Sequence, residues 1–274
     1  MVKDLKRSEA DGSGRVSLEE SIARAMDGSD GRIVPFLPYI FQDVWELGAV
    51  PGTVIDIVRR HARDLSRLRV LDLGCGKGAV SVRLAEALRC RCFGLDGIQE
   101  FIQFAADKAA AAGVGDLCSF EVADIRTRIE ALGRFDVIIL GAIGPVFGDY
   151  LVTLETLTPH LAEGGLVVVD DGYLPDDSSR AHPRVLKRGD LLRQIAAAGM
   201  RIVEEVCVAD EELERLDQAL SLALERRCAE LMTKCPEQKA LFEDYVRLQA
   251  EESEFLKGDV VCAILAIGRP AAGR

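Results

Sequence analysis

The stretch Val70-Leu-Asp-Leu-Gly-Cys-Gly-Lys-Gly78 places a short apolar run directly before a glycine-rich turn. After it, Val80, Leu84, Ala87 and Leu88 have the spacing of one helix face. These residues predict a strand, a turn and a helix. Glycines let a ligand come close to the backbone, and the first turn of a helix offers unpaired N–H groups. The turn is therefore a predicted binding site.

Short apolar segments alternate with helical patterns from residue 69 onward, which is typical of a parallel sheet built from β-α-β units. We predict strands at residues 70–73, 92–95, 119–123, 135–140, 166–169, 201–208 and 260–267. A charged helical segment precedes the last strand, which we expect to pair antiparallel. The predicted fold class is α/β, with a Rossmann-like seven-stranded mixed sheet, an N-terminal helical cap and a helical insertion before the last strand.

The residues before the first strand predict the helical cap. A loose tail to about residue 16 precedes a short helix at 17–26, with Ser17 as its N-cap, and a further helix is expected at 52–65. The insertion before the last strand is predicted to form two helices with a break near 234–236. We divide the chain into a tail and cap (1–66), a core (67–209 with 258–270) and the insertion (210–257).

An aromatic cluster at 35–48 stands out in a chain that is only 5% aromatic, and it is predicted to be helical up to Gly48. It either anchors a helix to the core or forms a lid over a ligand, with Tyr39 and Trp45 as substrate-side contacts. The insertion likewise has three possible roles: a helical pair packed on the core, a dimer contact or a substrate cover.

The composition excludes several classes of protein. Of the 274 residues, 49% are hydrophobic and 29% are charged, and no apolar run approaches the roughly 20 residues that cross a bilayer. The amino terminus has no signal-peptide pattern, so we predict a cytoplasmic protein without membrane contact. A net charge of −11 disfavours nucleic acid and favours small neutral or cationic partners. Eight cysteines without a Cys-x-x-Cys pair, and only three histidines, predict no metal site.

The spacing of the glycines narrows the choice of ligand. Dinucleotide sites have the order Gly-x-Gly-x-x-Gly. Here the order is Gly-x-Gly-x-Gly, and Asp72 precedes the first glycine by two positions. A carboxylate at that place suits the cationic amino acid part of a ligand better than pyrophosphate, because like charges repel. This indicates S-adenosylmethionine (SAM).

Residues 69 to about 208 resemble a class I SAM-dependent methyltransferase. The stretch 70–78 is similar to the first motif of that family, Gly94-Leu-Asp96 to its ribose-binding strand end, and Ala123-Asp124 to its adenine-side acidic position. The fourth strand, 135–140, and the turn 161–165 before the fifth are similar as well. The resemblance implies a cofactor site formed by Asp72, Gly74, Cys75, Gly76, Asp96, Gly97, Ile98, Ala123, Asp124, Ile125, Gly141 and Ala142.

Departures from related subclasses limit the acceptor. Gly141-Ala-Ile-Gly-Pro145 differs from the Asn/Asp-Pro-Pro-aromatic run of enzymes that methylate amino groups of nucleic acid or protein glutamine. Gly141 also stands where metal-assisted catechol-type enzymes have an Asp, although Asp170-Asp171 follows the fifth strand, and the cysteine trio of arsenic methyltransferases is missing. We therefore expect no metal.

The remaining residues give candidates on the acceptor side. Asp171 is a predicted substrate contact, and Tyr173 and His182 are candidate catalytic groups if the acceptor must lose a proton. An aromatic lid could also attract a cationic acceptor by cation–π contact. The predicted function is methyl transfer from SAM to a small molecule, by a monomer or a homodimer. The alternatives are a SAM-binding sensor or scaffold protein and an NAD-dependent oxidoreductase.

Overall fold

The computed structural model describes residues 16–62, 64–258 and 260–270, so the loose tail predicted at the amino terminus lies outside them except for Val16. The helices are α1 (Leu18–Ala25), α2 (Leu37–Ile40), α3 (Pro51–His61), α4 (Ala79–Leu88), α5 (Gln99–Ala111), α6 (Ile125–Arg128), α7 (Tyr150–Leu157), α8 (Arg188–Ala197), α9 (Asp210–Lys234) and α10 (Lys239–Leu256). The strands are β1 (Arg69–Leu73), β2 (Arg91–Asp96), β3 (Cys118–Val122), β4 (Phe135–Gly141), β5 (Leu161–Tyr173), β6 (Arg201–Cys207) and β7 (Val261–Gly268).

The strands form one sheet in the order β3-β2-β1-β4-β5-β7-β6. The first five strands run parallel, and β7 pairs antiparallel with β5 and β6. The predicted seven-stranded mixed sheet with an antiparallel last strand is therefore confirmed. The break between the two long helices of the insertion also falls where it was predicted, at 235–238.

Strand β5 is much longer than the predicted 166–169. It pairs with β7 from Leu166 opposite Gly268 to Tyr173 opposite Val261. The antiparallel partner supplies main-chain hydrogen bonds across the polar residues, so the strand continues where an apolar pattern ends. Asp170 and Asp171 consequently lie inside a strand and not in the loop that follows it.

Helices cover both faces of the sheet. On one face, α3, α4 and α5 bury apolar side chains such as Val58 and Leu84 against the sheet. On the other face, α6, α7 and α8 do the same with residues such as Leu154 and Ile195. The fold is thus a three-layer α/β arrangement, in which the carboxyl ends of the parallel strands meet at one edge.

The cap and the insertion share a third apolar cluster beside α5. The rings of Phe36 and Phe242 meet edge to face with centroids 5.0 Å apart, and Tyr245 donates a hydrogen bond to the Met26 carbonyl at 2.9 Å. The N-terminal cap therefore packs on the helical insertion, although the two are far apart in sequence. The three-part division of the chain remains a prediction.

The prediction of a helix through 35–48 is wrong beyond Ile40, where α2 ends. The following residues, 41–48, form turns and irregular structure. Two carbonyl groups of this segment, those of Phe41 and Val44, accept hydrogen bonds from Lys77, a side chain in another part of the fold. A tertiary contact thus replaces the helical hydrogen bonds, and we call residues 41–48 the lid segment.

Candidate active site

A cleft at the carboxyl ends of β1, β2 and β4 encloses about 970 Å³ of empty space, part of it open to solvent, and we call it cavity 1. The lid segment and α1 cover it from the outside. All the residues predicted to hold the cofactor line this cleft, namely Asp72, Gly74, Cys75, Gly76, Asp96, Gly97, Ile98, Ala123, Asp124, Ile125, Gly141 and Ala142. The fold therefore brings together four sequence segments that are widely separated along the chain.

The glycine turn after β1 adopts left-handed backbone conformations. Gly74 has φ 68°, and a Cβ there would lie only 2.6 Å from Cγ2 of Ile143. Glycine is needed at this position for both reasons, since other residues rarely adopt this φ and would clash with the chain after β4. The N–H of Cys75 donates to the Leu95 carbonyl at 2.9 Å, which ties the turn to β2.

Two carboxyl groups, those of the buried Asp72 and the partly buried Asp96, form the floor of cavity 1. Asp96 accepts hydrogen bonds from the N–H groups of Gly76 at 2.8 Å and Ile98 at 2.9 Å. Asp72 is 3% exposed and accepts from the Ser81 hydroxyl at 2.7 Å. Burial raises the pKa of each carboxyl to about 6, so both are mainly ionised at pH 7. The floor therefore presents negative charge to a ligand, as a cationic amino acid group requires.

Lys77 connects the glycine turn to the lid segment, a role that the sequence did not reveal. Its side chain is 4% exposed, and its ammonium group donates to the carbonyls of Phe41 at 2.9 Å and Val44 at 2.5 Å. The indole N–H of Trp45 donates back to the Lys77 carbonyl at 2.9 Å. Burial lowers the pKa of Lys77 to about 8. The lid is thus fastened to the turn in both directions.

The outer wall of cavity 1 comes from α1 and the start of α6. A Cβ on Gly97 would lie 2.6 Å from Cδ1 of Ile22, so α1 packs directly on the segment after β2. Asp124 caps α6 by accepting from the Arg126 N–H at 2.9 Å, and it forms an ion pair with the Arg126 guanidinium at 2.7 Å. The Asp124 carboxylate is therefore engaged by its own helix, and its predicted adenine contact remains a prediction.

A second and larger space adjoins the first, and we call it cavity 2. It encloses about 2050 Å³ between the sheet edge, the lid segment and the insertion, with part of it open to solvent. Trp45, Gly48 and Ala142 line both cavities. Ala142 has φ 55°, a conformation that costs a non-glycine residue about 1 kcal/mol, and its N–H donates to the Asp170 carbonyl at 3.2 Å. This strained residue marks the place where the two cavities meet.

The carboxyl end of β5 brings Asp170 and Asp171 to the wall of cavity 2. Asp171 accepts hydrogen bonds from the Tyr150 hydroxyl at 2.8 Å and the Gly172 N–H at 2.7 Å. Burial raises the pKa of both carboxyl groups, that of Asp170 to about 7. The predicted substrate-side residue Asp171 is thus at the wall of cavity 2, where Asp170 was not predicted, and the bond that Tyr150 donates to Asp171 was not predicted either.

The two aromatic candidates in the cap are placed differently. Trp45 lines both cavities, but Arg83 and Lys108 lie over its ring, 5.0 and 4.9 Å from the centroid. Tyr39 lines neither cavity, and Lys234 lies 4.5 Å from its ring centroid. Cations of the protein itself therefore occupy the ring faces that were expected to attract a cationic acceptor.

Tyr173 and His182 line neither cavity, although His182 lies 4.0 Å from Glu252 at the wall of cavity 2. The Tyr173 hydroxyl donates to Glu205 of β6, and the His182 ring stacks on Phe255 with centroids 4.4 Å apart. Burial lowers the pKa of His182. The contacts of both side chains join neighbouring elements, and the catalytic role of Tyr173 and His182 remains a prediction.

Among the described residues, no cluster of three or more His, Cys, Asp or Glu side chains is arranged to hold a metal ion. The helices of the same part of the chain include none that is both long and apolar enough to cross a membrane.

A family described as "Methyltransferase domain" matches residues 64–251, about two thirds of the chain. The sheet order, the glycine turn and cavity 1 define the same class, a class I SAM-dependent methyltransferase fold. The chain belongs to this methyltransferase family, whose cofactor is SAM. The family, fold class and cofactor predicted from the sequence are thereby confirmed.

Individual relatives are distant. The chain is 29% identical over 165 residues to phosphoethanolamine N-methyltransferase 1 of Arabidopsis thaliana, which covers 58% of this chain and 33% of that protein. The chain thus spans about a third of the length of this curated relative.

Solved structures share the fold. A SAM-dependent methyltransferase from Thiobacillus denitrificans, in complex with S-adenosyl-L-homocysteine, superposes with a TM-score of 0.69 at 19% identity, covering 86% of this chain and 98% of that one. The [4+2]-cyclase SpnF superposes with a TM-score of 0.62 at 19% identity, covering 80% and 81%. At these identities the likeness shows the fold alone.

Proposed function

We propose that the protein transfers a methyl group from SAM, bound in cavity 1, to a small-molecule acceptor bound in cavity 2. The observation that carries this proposal is the junction of the two cavities at Ala142, Trp45 and Gly48. Methyl transfer requires a nucleophile in line with the sulfonium methyl, in a site from which water is excluded. Two adjoining chambers under one lid segment have the arrangement that such a reaction needs.

The proposed cofactor contacts follow the predicted residues that line cavity 1. Asp72 and Asp96 would face the charged and hydroxyl-bearing parts of SAM, and the left-handed turn at Gly74 leaves room for its amino acid part. Gly141 and Ala142 would border the methyl group, since they lie on the side of cavity 1 that faces cavity 2.

Charge and enclosure favour a small acceptor over nucleic acid. The chain carries a net charge of −11, and cavity 2 is lined by more carboxylates than guanidinium groups. A phosphate backbone would be repelled by such a wall. The cytoplasmic location and the homodimer remain predictions. The eight cysteines are all free thiols, which is compatible with the reducing compartment that the first of these predictions assumes.

The alternative is a SAM-binding protein that does not transfer the methyl group. The [4+2]-cyclase SpnF has the same fold, and its name refers to a different reaction. The fold alone therefore does not imply methyl transfer, and this likeness supports the alternative. Incubation with SAM carrying a labelled methyl group separates the two. A labelled metabolite in a cell extract supports transfer, and SAM binding without any labelled product supports the alternative.

Calorimetry with S-adenosylhomocysteine tests the cofactor site directly. We expect the wild-type protein to bind and Asp96→Asn to bind about tenfold to 100-fold more weakly, because a hydrogen bond to a charged group contributes about 1.5 to 3 kcal/mol. Asparagine keeps an oxygen to accept from Gly76 or Ile98, which limits damage to the turn. Asp56→Asn, on the exposed side of α3, is the matched control and should bind normally. Absence of heat with the wild-type protein at high ligand concentration would refute the proposal.

A further inference from the structure

Cavity 2 has an acidic lining. Seven carboxylates and three guanidinium groups border it among the described residues. Five of the carboxylates already form ion pairs with Arg or Lys side chains: Asp27, Asp43, Glu46, Asp217 and Glu252. The other two, Asp170 and Asp171, have no ion pair with a described residue. They are neighbours in β5, beside the junction with cavity 1.

Of these two carboxylates, that of Asp170 accepts fewer hydrogen bonds from the described residues. It is partly buried and lines cavity 2, and its carboxylate accepts no hydrogen bond from a described residue. Buried carboxylates normally have partners, because an unpaired one is costly. Burial and the neighbouring Asp171 raise the pKa of Asp170 to about 7. A cationic or hydrogen-bonding ligand would therefore stabilise the ionised form of Asp170.

The neighbouring groups do not supply that ligand. Asp171 is held by the Tyr150 hydroxyl at 2.8 Å and the Gly172 N–H at 2.7 Å, so its orientation is fixed. The other titratable groups of the packed elements around cavity 2 are acidic, neutral and basic: Glu46 of the lid segment, Tyr150 of α7, Asp217 of α9, Glu252 of α10 and Cys262 of β7, with Arg24 of α1 and Arg215 of α9. Arg184, from the segment after β5, forms ion pairs with Asp27 and Glu252 at 3.0 and 3.1 Å.

Apolar side chains of the insertion also form part of the wall of cavity 2, beside the charged residues Arg215, Asp217 and Glu252. Leu213, Leu216 and Leu220 from α9 line it, together with Leu256 from α10. A ligand that contacts both the carboxylates of β5 and these leucines has a positively charged end and an apolar body. The charged end would lie at Asp170 and Asp171, next to Ala142, where the methyl group of SAM is expected.

We infer that the acceptor is an amine with an apolar body, bound as its ammonium form by Asp170 and Asp171; this inference rests on the proposed methyl transfer. Asp170 takes one proton from the ammonium group, which leaves a neutral amine with a free electron pair. The nitrogen then forms a bond to the methyl carbon while the carbon–sulfur bond breaks, and its electron pair remains on sulfur. The products are a methylated ammonium ion and S-adenosylhomocysteine, so charge and protons balance.

Binding to the protein loaded with S-adenosylhomocysteine tests the inference. The probes are n-octylamine and octanoate, which have similar apolar bodies and opposite charges at pH 7. Calorimetry should show octylammonium binding at least about tenfold more tightly than octanoate, on the scale of one charge-assisted hydrogen bond. In two buffers with different ionisation enthalpies it should also show release of part of a proton per site at pH 7, because burial raises the pKa of Asp170 to about 7.

Variants identify the residue that receives the amine. Asp170→Asn should weaken octylammonium binding about tenfold and abolish the proton release, whereas the exposed control Asp56→Asn should change neither. Equal or tighter binding of octanoate to the wild-type protein would overturn the inference, and so would an unchanged proton count in Asp170→Asn. Failure of S-adenosylhomocysteine itself to bind would instead refute the proposed function, so the two failures are distinguishable.

Discussion

Replacing Lys77 by methionine should weaken cofactor binding by opening the lid segment. Methionine keeps most of the apolar stem of lysine and removes the ammonium group. That group donates to the carbonyls of Phe41 at 2.9 Å and Val44 at 2.5 Å, and without it the Phe41 carbonyl keeps only the Val44 N–H, at 3.0 Å, as a donor. The lid covers cavity 1, so a ligand there depends on the lid being closed.

The size of the effect follows from the two hydrogen bonds. Each bond from a charged donor contributes about 1.5 to 3 kcal/mol, and the two together about 3 to 6 kcal/mol. Burial of the ammonium group, which lowers the pKa of Lys77 to about 8, offsets roughly half of this. A net loss of about 2 kcal/mol weakens the affinity for S-adenosylhomocysteine by about 30-fold if lid closure is marginal in the free protein.

Two measurements check this prediction. Calorimetry gives the Kd for S-adenosylhomocysteine, and acrylamide quenching reports the exposure of Trp45, the single tryptophan of the chain, which lies in the lid segment. Lys108→Met is the matched control, because Lys108 lies over the ring of Trp45 but is not among the donors to the lid carbonyls. If Lys77→Met binds as tightly as the wild-type protein and its tryptophan is no more accessible, the lid is not held by Lys77 and the reasoning fails.

Three further predictions concern single groups. Asp170→Asn should stabilise the ligand-free protein at pH 8 by about 1 to 2 kcal/mol, after discounting for the water in cavity 2. In the folded protein the pKa of Asp170 is raised from the usual 3.8 to about 7, so the stabilisation should decrease as the pH falls below 7 and vanish near pH 4. Urea unfolding at pH 4, 6 and 8 measures this dependence. A gain in stability that is constant with pH contradicts the prediction. His182→Ala should leave the Kd for S-adenosylhomocysteine within twofold and lower the midpoint of thermal unfolding by a few degrees, because its stacking on Phe255 contributes about 1 kcal/mol; a large loss of affinity would restore it as a site residue. Ser17→Ala should destabilise α1 by about 1 kcal/mol, since the Ser17 hydroxyl accepts from the Glu20 N–H at 3.1 Å, and hydrogen exchange in α1 should rise, whereas equal exchange would show that packing alone holds the helix.

The residues of the cofactor site could be predicted from the sequence because the patterns that mark them span only a few residues. The glycine turn and Asp124 follow a strand within one or two residues, Asp96 is the last residue of β2, and the carboxyl ends of parallel strands must meet at one edge of the sheet. Even there, local patterns had limits. Ala87 was expected on the buried face of α4 and is exposed, because a helix face read from four apolar residues does not show which side meets the sheet.

The residues of the acceptor side could be predicted only in part, because the contacts that position them connect residues far apart in sequence. Lys77 determines the shape of the lid segment from more than thirty positions away, and this long-range bond overrode the helical pattern of residues 35–48. Strand β5 continues through Asp170 and Asp171 because β7 pairs with it, which no property of the β5 sequence indicates. Tyr39 and Trp45 looked equivalent in the sequence, yet packing directs only Trp45 into the cavities.

The sequence by itself determined the α/β fold, the mixed sheet and the SAM-type cofactor turn, because alternating apolar segments and glycine spacing act over a few residues at a time. The tertiary structure alone decided that Asp170 and Asp171, the second of them bonded to the Tyr150 hydroxyl, line cavity 2 together with leucine side chains of the insertion. That arrangement depends on the packing of the cap, the insertion and an antiparallel strand pair, and such packing is set by contacts between side chains that no local pattern records.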